Sequence, residues 1–412
     1  MTVPAAESNI SKQYARTAWE YRPRAMSVRI ACGLSTASDP RAGAVEAAAK
    51  VATELEGRSI DLAVVFACGG HLAAPEATLE GVHDALQPDV LIGCGAGGVV
   101  GDGREIEGGT AVTVWAAAFE NGIVSTFHAE VTEVEDGVAI AGVPDLQGAG
   151  GAILLPDPYS FPTDAVLSEL AERSPGVPVL GGISGVRTLR GQAALFLGER
   201  VVPGGAVGVR FDGVELLPCV SQGATPIGPE LEITSGEGRL IKELAGRPAL
   251  GALRAVLDRL DDAEREMLSE GMLLGIVVES GQGDHQHGDF LVRSVLGGDP
   301  DTGTIAIGAT IEEGQVVRVH ARDAKSADRD LHEALALRRQ ALGSDGPAGA
   351  LMFTCNGRGR GMFGVPDHDA AALADTLGNV PTAGFFAAGE IGPVGGENFL
   401  HGFTATVAVF AS

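Results

Sequence analysis

The segment PDVLIGCGAGGVV, residues 88–100, decides how this sequence folds, because an apolar strand in it runs into a cluster of glycines. Gly93, Gly95 and Gly98 have the G-x-G-x-x-G spacing of a dinucleotide-binding turn. Such a turn must open a helix whose N-terminus faces the pyrophosphate. The next residues, VVGDGREIEGGT (99–110), hold four more glycines and no helical period. The glycines therefore predict a sharp turn at a strand end, or a close approach of a ligand or another backbone, in preference to a nucleotide site.

The same order of elements occurs three times along the chain. Each copy has an apolar strand and loop, a helix, a strand that ends in a glycine turn, and a final strand. The glycine turn of the second copy is PVLGGISG (178–185), and that of the third is PTAGFFAAGEIGP (381–393). The spacing between strands is similar in all three copies. The sequence therefore predicts three units of one supersecondary pattern.

A different block separates the second and third copies. A helix is predicted over residues 247–268, followed by four strands joined by Gly/Asp turns between residues 272 and 320, and then a helix capped by Ser326. The predicted fold class is α/β, with mixed sheets and outer helices. Repeated strand–helix–strand–strand units and an antiparallel meander are expected to form two domains. A shift in composition near residues 216–236, rich in Pro and Gly, marks the expected boundary between domains at 27–215 and 216–412.

Composition narrows the class of partner. The chain has 412 residues, of which 45% are hydrophobic, only 5% are aromatic and 60 are glycine, so the core must be built from small aliphatic side chains. Acidic residues outnumber basic ones by 54 to 29, which gives a net charge of -25. Such a surface repels phosphate backbones and anionic headgroups, so neither nucleic acid nor a membrane is expected as a partner.

The cysteines indicate a reducing compartment. Their number is odd, no C-x-x-C occurs, and neither a disulfide framework nor a zinc ribbon is indicated; they stand at positions 32, 68, 94, 219 and 355. A cytoplasmic protein is therefore expected. No apolar run approaches the roughly 18 residues of a membrane span. Residues 1–26 are polar and aperiodic, and are interpreted as a flexible tail or as the result of a start codon assigned too far upstream.

Several longer stretches resemble the FIST family, in which a FIST N and a FIST C domain are paired. The N-terminal half has DLAVVFACGG (61–70) and the glycine turn with its following strands. The C-terminal half has FTCNGRG (353–359), GFFAAGEIGP (384–393) and ENFLHGFTATVAVF (397–410), of which the first two are the most specific. The resemblance spans about residues 27–410 and assigns 27–215 to FIST N and 216–412 to FIST C.

The resemblance implies a cytoplasmic sensory module of signal transduction that binds a small ligand, with amino acids proposed for the family. Some members bind haem and respond to nitric oxide, and in eukaryotes the module occurs in an F-box protein. Many members are fused to kinase, cyclase or F-box segments, and none is seen in these 412 residues. The output is therefore expected to pass through a separate signalling protein or through homo-oligomer contacts.

The third copy carries opposite charges on two glycine-rich strand ends. We expect Arg358 to bind a ligand carboxylate and Glu390 to bind an ammonium group, with Asn356 and Asn398 orienting the ligand. Asn356-Gly357 is expected to form a turn with positive φ. The alternative is a turn whose arginines, Arg358 or Arg360, pair with Glu390 or with surface acids. The full set of expected ligand-binding residues is Cys355, Asn356, Gly357, Arg358, Arg360, Gly389, Glu390, Asn398 and His401.

Two other functions remain open at this level. Cys355 is a candidate nucleophile with His401 as its base, although a thiol at a strand end is more often a small buried apolar group. His320 and His401 are candidate axial ligands of a haem, although no cofactor is the first expectation. His285 and His287 in GDHQHGD (283–289) are interpreted as the tip of a hairpin and not as a metal site.

Overall fold

The computed structural model describes residues 28–134, 137–188, 191, 193–268, 272–278, 285, 289–344 and 346–412. The expected tail over residues 1–26 lies outside them, as does His287 of the histidine-rich turn. Within the described residues, no helix combines the length and the apolar character needed to cross a bilayer.

The first unit forms where the sequence predicts it. The strand Leu62–Cys68 is buried along its whole length, as its continuous apolar run requires. The first helix starts at Pro40, and the side chain of Asp39 accepts the N–H of Ala42 to cap it. The elements are β1 (Val28–Ser35), α1 (Pro40–Glu54), β2 (Leu62–Cys68), α2 (Pro75–Leu86), β3 (Val90–Gly95), β4 (Val99–Gly101), β5 (Arg104–Ile106) and β6 (Ala111–Phe119), with a 3₁₀ turn at Gly69–Leu72.

The second unit repeats this order with a hairpin at its start. Its helix buries Val166, Leu167 and Leu170 on one face, the spacing expected of an amphipathic helix that covers a sheet. The elements are β7 (Ile123–Val134), β8 (Gly137–Ala141), β9 (Gly151–Pro156), α3 (Thr163–Arg173), β10 (Val179–Gly182), β11 (Leu195–Leu197), β12 (Arg200–Val202) and β13 (Ala206–Asp212).

The third unit is interrupted by an inserted body after its first strand. It opens with β14 (Leu216–Ser221). The insertion holds β15 (Thr225–Glu237), β16 (Leu240–Leu244), β17 (Arg247–Pro248), α4 (Ala249–Leu257), α5 (Asp262–Met267), β18 (Met272–Val277), β19 (Phe290–Gly298), β20 (Ile305–Ile307) and β21 (Val316–Ala321). The unit then resumes with α6 (Ala324–Leu342), β22 (Pro347–Cys355), α7 (Arg360–Phe363), α8 (His368–Leu377), β23 (Thr382–Ala387), β24 (Glu390–Val394), β25 (Glu397–His401) and β26 (Ala405–Ala411).

Each unit gives a two-stranded hairpin to the sheet of another unit. The hairpin β4–β5 of the first unit pairs with β23 of the third, β24–β25 of the third pairs with β10 of the second, and β11–β12 of the second pairs with β3 of the first. The three sheets are therefore equivalent in order: β1-β6-β2-β3-β11-β12, β7-β13-β9-β10-β24-β25 with β8 added at its edge, and β14-β26-β22-β23-β4-β5. The exchange closes a ring, so the three units form one pseudo-threefold body.

A glycine is required in β3, β10 and β23, at the point where each lies against the preceding strand of its unit. A Cβ atom at Gly93, Gly181 or Gly384 would lie 1.9, 1.9 or 1.8 Å from a backbone carbonyl oxygen of the neighbouring strand. Only glycine permits this approach. β4 follows Gly98 directly and no helix opens there. The close backbone approach, one of the alternatives predicted for the G-x-G-x-x-G segment, is confirmed at Gly93 and Gly98.

The mixed α/β class with outer helices is confirmed, but the predicted meander is wrong in its pairing. All four of its strands are present, yet β21 pairs with β18 and β15, and not with β20. β15 also pairs with β16, so the sheet β15-β21-β18-β19-β20-β16 closes into a six-stranded barrel. The closing strands lie at 225–244, in and beyond the Pro- and Gly-rich stretch that predicted a boundary.

The structure differs from the predicted local structure at two helices and one turn. The helix expected over 247–268 is two helices, because Asp261 begins α5 with a capping box to Glu264. α6 is capped by Asp323, which accepts the N–H of Ser326, and not by Ser326 itself. In the loop after β22 the positive φ is at Gly359, at 75°, and not in the Asn356-Gly357 pair.

Candidate functional site

The strand ends of the third unit bring Cys355 and Glu390 together. Cys355 is the last residue of β22, and Glu390 is the first residue of β24, the strand that leaves the unit to join β10. The Cys355 Sγ atom accepts the N–H of Phe403 at 3.1 Å and that of Gly357 at 3.5 Å. Burial, and next the charge of Glu390, raise the pKa of this thiol to about 11. The thiol is therefore neutral at physiological pH.

Glu390 is a fully buried carboxyl group without a salt bridge to either predicted arginine. Its Oε2 accepts the N–H of Thr404 at 3.0 Å, while its buried Oε1 has no hydrogen-bond partner among the described residues. Burial raises the pKa of Glu390, and the Thr404 hydrogen bond, the Cys355 thiol and the charge of Arg358 only partly oppose this effect. Glu390 is thus a buried acid that holds its proton near neutral pH.

Arg358 is also buried, but its partner is Asp369. Its Nε and Nη2 donate to the two carboxylate oxygens of Asp369 at 2.7 and 2.8 Å. Thr354 and His368 also hydrogen-bond the same carboxylate. Burial opposes the ionisation of Asp369, yet the Arg358 guanidinium holds the pKa of that carboxyl well below its usual range. The fork of Arg358 is occupied, and only the buried Nη1 is left without a partner in the described chain.

A second arginine, Arg322, faces the same groups from the end of the barrel. Its guanidinium lies over the ring of Phe403, with Cζ 4.1 Å from the ring centroid. Its buried Nε has no hydrogen-bond partner within the ranges that the structure describes. Burial lowers the pKa of Arg322 to about 10; the nearby Cys355 and Glu390 oppose this shift, and the positive charge of Arg358 adds to it.

Phe403 covers the loop after β22. It has φ of 63° and is 43% exposed, both unusual for a large aromatic residue. A Cβ atom on Gly357 would lie 2.7 Å from the Phe403 ring, so Gly357 makes room for it. Such backbone strain is often found at ligand sites.

Turns from the three units meet beside Cys355. Asn356 is exposed, and Cβ atoms placed on Gly185 and Gly97 would lie 3.3 Å from its Nδ2 and 3.7 Å from its Oδ1. A Cβ on Gly185 would also lie 3.4 Å from Cβ of Ala388. The turns of all three units therefore converge beside Cys355 and Glu390.

These groups leave two unsatisfied guanidinium N–H positions and one unsatisfied carboxyl oxygen in a buried place. Each such atom loses hydration without a replacement, which is unfavourable unless something else binds it. The guanidinium donors match a carboxylate or another small anion. No cluster of three or more His, Cys, Asp or Glu able to hold a metal ion is present in the part of the chain that is described.

Comparison with known proteins identifies the family. Residues 61–247 match the FIST N domain and residues 249–393 match the FIST C domain. An uncharacterized protein of Mycobacterium tuberculosis is 44% identical over 93% of this chain and 100% of its own length. The chain belongs to the FIST family.

Other relatives of this FIST protein add no activity. An uncharacterized protein of Mycobacterium bovis is 42% identical over 93% of this chain and 99% of its own length. Cyanuric acid hydrolase from A. caulinodans aligns over 93% of this chain and 99% of that chain, with 12% identity and a TM-score of 0.25.

The FIST fold gathers some of the predicted site residues and separates others. Cys355, Asn356, Gly357, Arg358, Gly389 and Glu390 lie around the site. Arg360 is exposed, and its backbone N–H donates to the Glu107 side chain at 2.8 Å. Asn398 binds the backbone of Val177 and Val179, three positions along the β24–β25 ladder from Glu390, or about 10 Å away. The structure therefore does not bring Asn398 together with Glu390.

The two histidines considered for haem are held by backbone carbonyls. His401 is buried, its Nε2 bonds the Gly392 carbonyl oxygen at 2.9 Å, and burial lowers its pKa to about 3. His320 Nδ1 bonds the Arg318 carbonyl oxygen at 3.0 Å, and a Cβ on Gly275 would lie 2.3 Å from its ring. A bond from one ring nitrogen to a backbone carbonyl is also usual in metal-ligating histidines, so haem ligation by either residue stays a prediction. His401 also makes its hydrogen bond away from Cys355, so it does not fit the expected role of base.

The sequence reasoning missed Arg322, Phe403 and Asp369. Arg322 directly follows β21, and Phe403 lies two residues before β26. Asp369 lies in the first turn of α8, where an acidic residue is common for reasons of helix stability alone. The one available signal was the position of Arg322, a charged residue between an apolar strand and the Asp323 cap.

Proposed function

We propose that this FIST protein is a non-catalytic sensor that binds a small zwitterion, such as a free amino acid, in the site between Cys355, Arg358, Glu390 and Arg322. The observation that carries the proposal is the buried Glu390 Oε1, which has no hydrogen-bond partner among the described residues, near Arg358 and Arg322, each of which has one guanidinium nitrogen likewise without a described partner. The groups that the structure describes leave these atoms unsatisfied. A ligand with both a carboxylate and an ammonium group supplies the missing partners.

In this proposal Arg358 and Arg322 together bind the ligand carboxylate, a role that the sequence predicts for Arg358 alone. Because Asp369 takes the Arg358 fork, Nη1 is the Arg358 donor left for a ligand carboxylate. Nε of Arg322 is the second donor, offered from the barrel. The ammonium group is assigned to Glu390 Oε1. The Cys355 thiol, kept neutral by burial, is a wall of the site in this proposal and not a nucleophile.

Binding of an ammonium group has a consequence for protons. Glu390 holds its proton near neutral pH in the free protein because burial raises its pKa. An ammonium group at Oε1 stabilises the ionised carboxylate, so Glu390 loses its proton on binding. A ligand with a carboxylate alone leaves the proton in place. Proton release therefore separates an amino acid from a simple carboxylic acid.

Calorimetry tests the proposal. The twenty standard L-amino acids, acetate and methylammonium are titrated into the full chain in two buffers of different ionisation enthalpy at about pH 7. We expect one class of amino acid to bind with proton release, and Glu390→Gln to weaken it about ten- to a hundredfold. Glu397→Gln on the same hairpin is the matched control and leaves binding unchanged. Absence of binding by every amino acid, or equal affinity in Glu390→Gln, contradicts the proposal.

We also propose a cytoplasmic location, since all five cysteines are free. The signal is then passed to a separate signalling protein or between copies of this chain. Fractionation of cells that express the tagged full chain tests the location, and recovery with the membrane or outside the cell opposes it.

A further inference from the structure

The barrel is a separately packed body inside the third unit. Its apolar core is built from its own strands and the helices α4 and α5, including Ile241, Leu253 and Val317, and it does not merge with the cores of the three-unit body. The chain enters the barrel through Gln222–Ala224 and leaves it through Arg322–Asp323. These two connections are adjacent, because Thr225 pairs with Ala321. Adjacent connections form a natural hinge.

The side of the barrel near this hinge faces the candidate site. Gln222 bridges to the barrel strand β19, where its side chain donates to the Phe290 carbonyl and accepts the Val292 N–H. Arg322 extends the barrel onto Phe403 of the three-unit body. The site therefore has one wall on each body: Cys355, Glu390 and Phe403 on one, and Arg322 on the other.

Docking of the barrel carries an electrostatic penalty that a ligand anion removes. Arg322 and Arg358 oppose each other's charge, and Arg358 already has Asp369. The two acidic groups that attract Arg322, Cys355 and Glu390, are both protonated at neutral pH. A partly buried guanidinium without a counter-ion is unfavourable. A ligand carboxylate placed between Arg358 and Arg322 supplies that counter-ion.

We propose that the ligand carboxylate bridges Arg358 and Arg322 and thereby fastens the barrel to the three-unit body, so that the docked state of the barrel is the signal. This inference rests on the proposed function and assigns Arg322 and Phe403 to the ligand site. The ligand shifts the docking equilibrium because it contacts both bodies only when they are closed. A ligand that contacts one body alone has no such effect.

Hydrogen–deuterium exchange of the full chain tests the inference. The probe is a saturating mixture of the twenty standard L-amino acids, with calorimetry of the same sample as the check on binding. We expect exchange to slow at least about threefold at residues 222–225, 290–295 and 321–324 as well as at 387–404. In Arg322→Gln, the calorimetric affinity falls about tenfold, and at saturation the protection at 387–404 remains while that of the hinge and barrel is lost.

The controls separate this inference from the proposed function. Arg339→Gln changes an exposed arginine in the last turn of α6, which donates to the Gly343 carbonyl away from the hinge, and keeps the wild-type pattern. Phe403→Leu keeps an apolar cover but removes the aromatic face, and is expected to reduce the barrel protection. Calorimetric binding with protection confined to 387–404 in the wild type overturns the bridge and leaves the proposed function intact. Absence of calorimetric binding overturns both.

Discussion

Arg358 donates two parallel hydrogen bonds to the carboxylate of Asp369, and both side chains are buried. The pair joins the loop after β22 to the first turn of α8. A buried ion pair is costly to break, because removal of one partner leaves an unpaired charge in the interior. This pair therefore fixes the orientation of the remaining Arg358 nitrogen, Nη1, which lies beside Gly223.

Loss of one partner of this pair is expected to be far more damaging than loss of a surface pair. We predict that Asp369→Asn lowers the free energy of unfolding by about 3–5 kcal/mol. The matched control is Glu169→Gln, which breaks the exposed Arg173–Glu169 pair and costs less than about 1 kcal/mol. Urea titration followed by circular dichroism measures both, and equal effects of the two substitutions contradict the prediction.

The raised pKa of Glu390 makes stability depend on pH. Burial raises its pKa to about 8 in the folded protein, from 4.5 for a glutamate in water. The favourable contribution is complete below the unfolded pKa, declines as pH rises between the two values, and is lost above the folded pKa. We predict that Glu390→Gln, which does not ionise, flattens this decline. Urea titrations of both proteins from about pH 5 to pH 9 check it, and parallel pH profiles refute it.

The sequence allowed the three units to be predicted, because strand, helix and glycine-turn signals are local and recur in each. The exchange of hairpins between units could not be predicted from the sequence. The short strands β4, β11 and β24 have the same alternation whether they pair within their own unit or with another one. Their partners lie far away in sequence, at β23, β3 and β10, and pairing of this kind is decided by tertiary packing.

The site was predictable to the same extent. Cys355 and Glu390 stand at strand ends of one unit, where topology places them together. The partner of Arg358 was not predictable, since Asp369, Glu390 and several surface acids were equally available to an arginine in a flexible loop. Arg322 was missed because the closure of the barrel, which brings the end of β21 to the third unit, depends on pairing with β15.

The hairpin exchange predicts that neither half of the chain folds alone. Residues 1–215 contain β4–β5, whose partner β23 lies in the other half, and β10, whose partner β24 also does. We predict that a fragment of residues 1–215 lacks a cooperative thermal transition, and that co-expression with residues 216–412 restores a folded complex. Circular dichroism and size-exclusion chromatography measure this. A cooperative, monomeric 1–215 fragment argues against a structural need for the exchange.

Gly93 and Gly384, which lie close to the backbone of a neighbouring strand, offer a test of the pseudo-threefold body that does not depend on any ligand. A Cβ on Gly93 would lie 1.9 Å from the Val65 carbonyl oxygen, and one on Gly384 would lie 1.8 Å from the Met352 carbonyl oxygen. Because the obstacle is backbone within a sheet, it cannot move away as a side chain can.

Gly93→Ala and Gly384→Ala are therefore predicted to destabilise the fold by about 2–4 kcal/mol each, the range typical of severe overpacking in a core. Gly108→Ala is the control, since a Cβ there meets no atom within 4 Å and its φ is not positive. Differential scanning calorimetry is expected to show a large fall in Tm for the first two variants and almost none for the third. Wild-type stability of either Gly93→Ala or Gly384→Ala contradicts the close approach of the strands that the three units share.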